Sequence, residues 1–216
     1  MQIEIFIAYL ESVYRFHTIQ KDKLNNLIDG YSKLDFHNSS DDLNKKIIID
    51  NSNQKKTFAS YNLVKTMRGS ILVLGPLLAR FKKAKVSSPG GCSIGVRPID
   101  LHLKALSKLG VKYKIEQGYV IANAPKGLIG ARIRFPKISV GATQNLIIAA
   151  SLAKGTTILK NCAIEPEIKD LVNFLNKMGC NIKWTAKRSL KIFGVHEMKE
   201  TNYSVMFDRI EAGTYL

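Results

Sequence analysis

The sequence predicts a pseudo-symmetric α/β fold made from two copies of one helix-and-sheet unit. Three observations lead there. Pro98 and Pro166 stand 68 positions apart, and each opens an amphipathic segment. Each segment stops at a glycine, Gly110 or Gly179, where a left-handed C-terminal cap belongs. Each glycine is followed by two strand-like runs across a polar turn. A period this long that mixes helix and strand argues against a thin solenoid and for a packed α/β domain.

In the first copy, Arg97-Pro98-Ile99-Asp100-Leu101 leads into a helix carrying Leu101, Leu103, Leu106 and Leu109 on one face. Val111 to Ile115 and Tyr119 to Ile121 then flank Glu116-Gln117-Gly118, a hairpin signal. In the second copy, Glu165-Pro166-Glu167-Ile168 opens a helix with Leu171, Val172, Phe174, Leu175 and Met178, and Glu165 is placed to cap it. Asn181 to Trp184 and Leu190 to Phe193 supply its hairpin. An apolar helix precedes each copy, Met67 to Phe81 and Thr143 to Leu152, followed by a short strand near Lys85-Val86 and Thr157-Ile158-Leu159. Residues 1–54 fit the unit less well. Ile5 to Phe16 is weakly amphipathic, His37 to Ser40 reads as a turn, and Asp41 to Asp50 reads as the closing hairpin of an incomplete earlier copy.

A chain of 216 residues with 45% hydrophobic and 23% charged residues has the composition of an ordinary globular protein. The longest apolar stretch, Ile71 to Ala79, is interrupted by Gly75 and Pro76 and is far short of a bilayer span. Glu4 stands where a signal peptide carries positive charge, so a cytosolic protein is expected. The net charge of +16 is compatible with nucleic acid, an anionic membrane surface or a phosphorylated small molecule as partner. It is equally compatible with codon bias in an AT-rich genome, since lysine, asparagine and isoleucine are abundant together. The lysines are scattered, and no zinc-finger spacing, RNA-recognition aromatic motif or glycine-arginine tract accompanies them, so neither a specific nucleic-acid partner nor a membrane is expected. Cys92, Cys162 and Cys180 form no C-x-x-C pair, which leaves no metal site and no redox couple to expect.

Ser87-Ser88-Pro89-Gly90-Gly91-Cys92-Ser93-Ile94-Gly95 is the segment richest in chemistry. A cysteine on a glycine-rich loop is better placed to react than to pack, and nearby Arg97 and Lys85 favour its thiolate. The same residues also suit a plain structural turn with an idle thiol.

Five motifs break that tie. Leu63-Val64-Lys65-Thr66-Met67-Arg68 is followed by Pro89 to Gly95 and then Val96-Arg97-Pro98-Ile99-Asp100-Leu101-His102. Lys137-Ile138-Ser139-Val140-Gly141-Ala142-Thr143, Glu165-Pro166-Glu167-Ile168 and Asp208-Arg209-Ile210-Glu211-Ala212-Gly213-Thr214 come after them in order. Together they resemble the enolpyruvyl transferase family, to which the shikimate-pathway synthase also belongs, and most closely its peptidoglycan branch. The resemblance runs from about residue 55 to the end. It implies an inside-out α/β barrel domain of repeated βαβαββ units, here incomplete. Residues 1–54 would be a divergent segment holding part of a first repeat, 55–207 two repeats of the first domain, and 208–216 the start of a second domain, with Asp208 and Arg209 at the hinge.

The resemblance further implies transfer of enolpyruvate from phosphoenolpyruvate to the 3-hydroxyl of UDP-N-acetylglucosamine, with release of phosphate and no cofactor. It makes Cys92 the general acid on the methylene carbon, the site of a covalent adduct and the target of fosfomycin. A thiol with a pKa near working pH suits both roles. Arg97 corresponds to a phosphate-binding arginine, although a surface arginine capping a turn reads the same way. Pro98, Ile99, Asp100 and Leu101 correspond to the uracil-holding segment, and His102 to a histidine near the diphosphate, where a structural role is the alternative. Arg68 corresponds to a sugar-nucleotide ligand. Lys137, Ile138, Ser139 and Val140 correspond to a second nucleotide-contacting strand end, with Gly141 allowing close backbone approach. Cys162 and Cys180 match no catalytic position and are expected to be packed.

The pattern also breaks. The family's Ser-Gly-x-Lys-Asn motif, whose lysine grips phosphoenolpyruvate, is absent, and Lys160-Asn161 lies in a different context. The second domain's aspartate and arginine have no counterpart here. A chain truncated at both ends is expected, with a complementing second-domain fragment as the partner this implies. A non-catalytic product with at most nucleotide-sugar binding is the alternative.

Overall fold

The computed structural model describes residues 33–37, 46–50, 57–59, 61, 70–88, 99–204 and 206. Arg68, Cys92, Arg97 and Pro98 lie outside them, as do Ile5 to Phe16 and the Asp208-Arg209 segment. The chain divides into two units, of which Thr57–Ser204 is one. The other contributes a two-stranded antiparallel hairpin, β1 (Lys33–His37) and β2 (Lys46–Asp50), with Leu34 in register with Ile49 and Phe36 with Ile47. The hairpin expected within Asp41 to Asp50 is thus shifted. Residues 46–50 are one of its strands, and the other, Lys33–His37, takes in His37, which the sequence pattern assigns to the turn.

In Thr57–Ser204 the same βαβαββ path is traced twice. β3 (Phe58–Ala59), a 3-10 turn (Ser70–Val73) running into α1 (Leu74–Phe81), β4 (Lys83–Ser87), α2 (Asp100–Lys108), β5 (Lys112–Glu116) and β6 (Tyr119–Asn123) make the first copy. β7 (Arg132–Arg134), α3 (Val140–Ser151), β8 (Thr156–Lys160), α4 (Pro166–Lys177), β9 (Asn181–Ala186) and β10 (Ser189–Phe193) make the second. The sheets run β3-β4-β6-β5 and β7-β8-β10-β9. In each the first pair is parallel and the others antiparallel.

Local chemistry explains the matching helix ends. Gly110 and Gly179 both take φ +93°, which an L side chain resists. The N–H of Gly110 donates to Ser107 and that of Val111 to Leu106, while Gly179 and Cys180 donate to Asn176 and Leu175. These are two Schellman caps, and they satisfy carbonyls that the helix ends leave open. Pro166 occupies the first turn of α4, where a missing N–H costs nothing. Glu165 is the N-cap residue but does not cap with its side chain. Its carboxylate accepts the N–H of Ile164 at 2.7 Å instead. The first hairpin turns through Gln117 at φ 48° and Gly118 at φ 76°, as a two-residue primed turn requires.

The helices are the inside of the unit and the sheets its outside. α3 is buried at every residue from Ala142 to Ser151 and packs on α1, α2, α4 and β10. Its sequence has no charged face, as expected of a helix surrounded by protein. The sheets turn one face to the helices: Val86 faces Val120 across β4 and β6, and Leu159 faces Leu190 across β8 and β10, all four buried. β5 is exposed along its whole length. Among the described residues, no helix is long and apolar enough to cross a membrane.

Candidate functional site

The site residues that the structure describes fall on two adjoining helix starts. α2 begins at Asp100, whose charge suits the positive end of a helix and which pairs with Lys104 at 3.3 Å. α3 begins after Ser139, an extended residue (φ −144°, ψ 120°) whose Oγ accepts the N–H of Ala142 at 3.2 Å. Lys137, Ile138 and Ser139 therefore lie in the loop entering α3, and Val140 and Gly141 in its first turn, beyond the last residue of β7. Lys137 and Ile138 are exposed. The two starts meet where His102 packs on Gly141: a methyl group there stands 3.3 Å from Cε1 and 3.5 Å from Nε2 of the imidazole. The absent side chain at Gly141 makes room for this ring.

His102 is buried, at 7% exposure. Its Nδ1 lies 3.1 Å from Nδ2 of Asn145, one turn into α3. Asn145 also donates to the carbonyl of Ile71 at 3.0 Å, and its Oδ1 accepts the N–H of Gly75 at 2.8 Å. Burial lowers the imidazole pKa to about 4, against a smaller opposite pull from Asp100. His102 is neutral at physiological pH.

On the other side of α2 a groove runs between that helix and β7, with Leu101 and Pro136 on its apolar wall. Lys104, Lys108, Arg132 and Arg134 line it with positive charge. Among the described residues, no carboxylate pairs with Lys108, Arg132 or Arg134. An apolar wall beside several cations suits a planar base joined to phosphates. Of the Ile99-Asp100-Leu101 segment, Leu101 lines this groove, and Pro98 and Arg97 precede the described stretch.

Cys162 and Cys180 are both buried. Burial pushes their thiols up to about 12 and about 11 respectively, which outweighs Arg188 near Cys162 and the Ser151 hydroxyl near Cys180. Neither is a nucleophile at neutral pH. Lys85, expected beside Cys92, has its ammonium over the rings of Phe58 and Tyr119, at 5.4 and 4.9 Å.

Sequence reasoning missed Asn145, Gly75 and the groove cations Arg132 and Arg134. A signal existed for the first: an asparagine inside an apolar, charge-free helix has to find hydrogen-bond partners. Arg132-Ile133-Arg134 offered only one apolar residue between two charges, too little to mark a strand.

Residues 20–216 match the family model for EPSP synthase (3-phosphoshikimate 1-carboxyvinyltransferase). The chain is 76% identical over 176 residues to the UDP-N-acetylglucosamine 1-carboxyvinyltransferase of Pelagibacter ubique (strain HTCC1062), a match covering 82% of this chain and 42% of that protein. It is 54% identical over 172 residues to the protein of the same name from Psychrobacter sp. (strain PRwf-1), covering 79% and 40%. The chain thus spans about two fifths of the length of these curated relatives. Among solved structures, the enolpyruvyl transferase NikO from Streptomyces tendae has a TM-score of 0.73 at 19% identity, covering 89% of this chain and 45% of its own. EPSP synthase from Acinetobacter baumannii has a TM-score of 0.63 at 17% identity, covering 87% and 42%. These two share the fold, an α/β barrel domain of repeated units present here in part. By its sequence match over nearly the whole length, the chain belongs to the EPSP synthase family.

Proposed function

We propose that this chain supplies the nucleotide-sugar side of an enolpyruvyl transfer site: phosphoenolpyruvate gives its enolpyruvyl group to the 3-hydroxyl of UDP-N-acetylglucosamine, and phosphate leaves. The observation that carries this reading is the pairing of the α2 and α3 starts beside a cationic groove. Residues from two separate motifs, Ile99 to His102 and Lys137 to Gly141, are brought onto one edge of the unit. Leu101 and Pro136 offer the base an apolar wall, and Lys104, Lys108, Arg132 and Arg134 attract the diphosphate. The names of the relatives at 76% and 54% identity supply the choice of sugar nucleotide.

On this reading Cys92 protonates the methylene carbon of phosphoenolpyruvate while the sugar hydroxyl gives its proton to a base from outside this chain and its oxygen bonds to C2, and Arg97 and Arg68 hold phosphate and sugar nucleotide. Loss of phosphate from C2 and return of a methyl proton to the Cys92 thiolate then leave the enol ether. A glycine-rich loop lets a thiol close over bound substrate and exclude water. Residues 55–207 act as two repeats of the first domain, and the reaction is cytoplasmic, where free thiols persist.

Equilibrium titration of the chain with UDP-N-acetylglucosamine tests the proposal. Binding should weaken at least tenfold in an Arg132→Glu, Arg134→Glu double variant and should fall as salt rises. Unchanged affinity in that variant would remove the groove from the site. Tighter binding of single-stranded nucleic acid than of the sugar nucleotide would replace the reading.

A further inference from the structure

We infer that Asn145 is a positioning residue for the ligand site: it holds His102 as the Nε2–H tautomer, so that the ring offers a fixed N–H donor to a phosphate group at the first turn of α3. The inference rests on the proposed function for the identity of the ligand, and on hydrogen-bond geometry for the rest.

The geometry leaves no freedom. The N–H of Gly75 can only donate, so the Asn145 atom 2.8 Å from it is the carbonyl oxygen Oδ1. The amide nitrogen Nδ2 then points the other way and has two protons to give. One goes to the Ile71 carbonyl at 3.0 Å, and the other to Nδ1 of His102 at 3.1 Å. An imidazole nitrogen that accepts carries no proton, so the single proton of the neutral ring is on Nε2. A backbone N–H on α1 thereby dictates, through one buried amide on α3, the tautomer of a ring on α2.

Nε2 lies against Gly141, in the first turn of α3. Ser139 caps the N–H of Ala142, and the Val140 and Gly141 N–H groups have no partner among the described residues. Nε2 likewise has none. An imidazole N–H of a largely buried ring, beside two open helix-start N–H groups, is a donor set for an oxyanion. With the opposite tautomer, Nε2 would turn a lone pair toward the phosphate and repel it. Asn145 touches no ligand itself and acts only through His102.

The experiment uses the chain with 13C,15N-labelled histidine. His17, His37 and His196 are the other histidines, and a His102→Gln variant assigns the signal. The expected result is an Nε2–H tautomer for His102 at neutral pH, a shift of its Nε2 resonance on adding UDP-N-acetylglucosamine, and none on adding uridine, which lacks phosphate. In Asn145→Asp, the carboxylate still accepts from Gly75 but cannot donate to His102, so the ring should switch to Nδ1–H or become charged. Affinity for the sugar nucleotide should then fall about tenfold if the ring turns its lone pair outward, with uridine binding unchanged. An Nδ1–H tautomer in the wild-type chain overturns the inference whatever the variant does. So does sugar-nucleotide binding that leaves the His102 signal unmoved. Absence of any binding, with the Nε2–H tautomer observed, instead refutes the proposed function and with it the ligand half of the inference.

Discussion

Replacing Gly75 with alanine should drive two packed helices apart and destabilise the described unit. Gly75 sits in the first turn of α1 where that helix crosses α3, and its backbone is not left-handed, so the cost is one of space alone. A Cβ built there overlaps the Asn145 side chain and comes within 2.7 Å of the Asn145 carbonyl oxygen, backbone that cannot swing aside. Parting two packed helices by such an amount costs about 1–3 kcal/mol. Displacing Asn145 also strands its bond from the Gly75 N–H, a further penalty of about 1–3 kcal/mol for a buried pair. A total of about 3 kcal/mol, with a urea dependence of about 2 kcal/mol/M, lowers the unfolding midpoint by about 1.5 M. Gly118→Ala is the control. It has φ +76° but nothing within 4 Å of the added methyl, so it should lose only about 1 kcal/mol of backbone strain. Chemical denaturation followed by circular dichroism measures both. A Gly75→Ala loss under 1 kcal/mol, or one smaller than that of Gly118→Ala, would refute the claim that the α1–α3 contact is closed.

Three other outcomes follow from groups already described. The His102 imidazole, with its pKa lowered to about 4 by burial, takes up a proton in the unfolded chain before it does in the folded one, so stability is complete above about pH 6.5 and falls by about 3 kcal/mol as pH drops toward 4; thermal melts of His102→Gln that keep the same slope would contradict this. Alkylation at pH 7.5 with peptide mapping should label Cys92 well ahead of Cys162 and Cys180, both buried and raised toward about 12 and about 11, and early labelling of either would contradict their assignment as packed thiols. Tyr203→Phe should cost about 1 kcal/mol by removing the hydroxyl that donates to Asp170 Oδ1 at 2.6 Å, while keeping the edge-on ring contact with Phe174, and Tyr203→Ala should cost more; no loss in Tyr203→Phe would show that the hydroxyl contributes nothing, and equal losses that the ring contact contributes nothing.

Much of the fold could be read locally because its signals are local. Gly110 and Gly179 announce their caps through the residue type that φ +93° favours, and α2 and α4 declare their inner faces through leucine spacing. Helix starts were harder. The apolar run from Met67 to Phe81 reads as one helix, yet α1 proper begins at Leu74 after a 3-10 turn. α3 starts three residues before its apolar run because the Ser139 hydroxyl, not hydrophobicity, sets its beginning. The leading strands β3 and β7 were invisible: one is two residues long, and the other reads Arg-Ile-Arg. At the site, the motifs named the helix starts but not their wiring. His102 finds Asn145 forty-three positions away, and Asn145 finds Gly75 seventy positions away, separations over which no periodic pattern carries information.

α3 has one more consequence. By order in the chain it belongs to the second copy, but it packs against α1 and α2 of the first as well as its own α4. The copies are therefore interlocked and not merely adjacent. Severing the Ala124–Gly130 connection would not release two self-sufficient halves, because the first would lose the cylinder its helices wrap and the second would expose that cylinder's flank to water. Amide protons of Leu146 to Ala150 should then be replaced by deuterium only when the whole unit opens. The chain traces two units here, and sharing a single axle makes them one cooperative body.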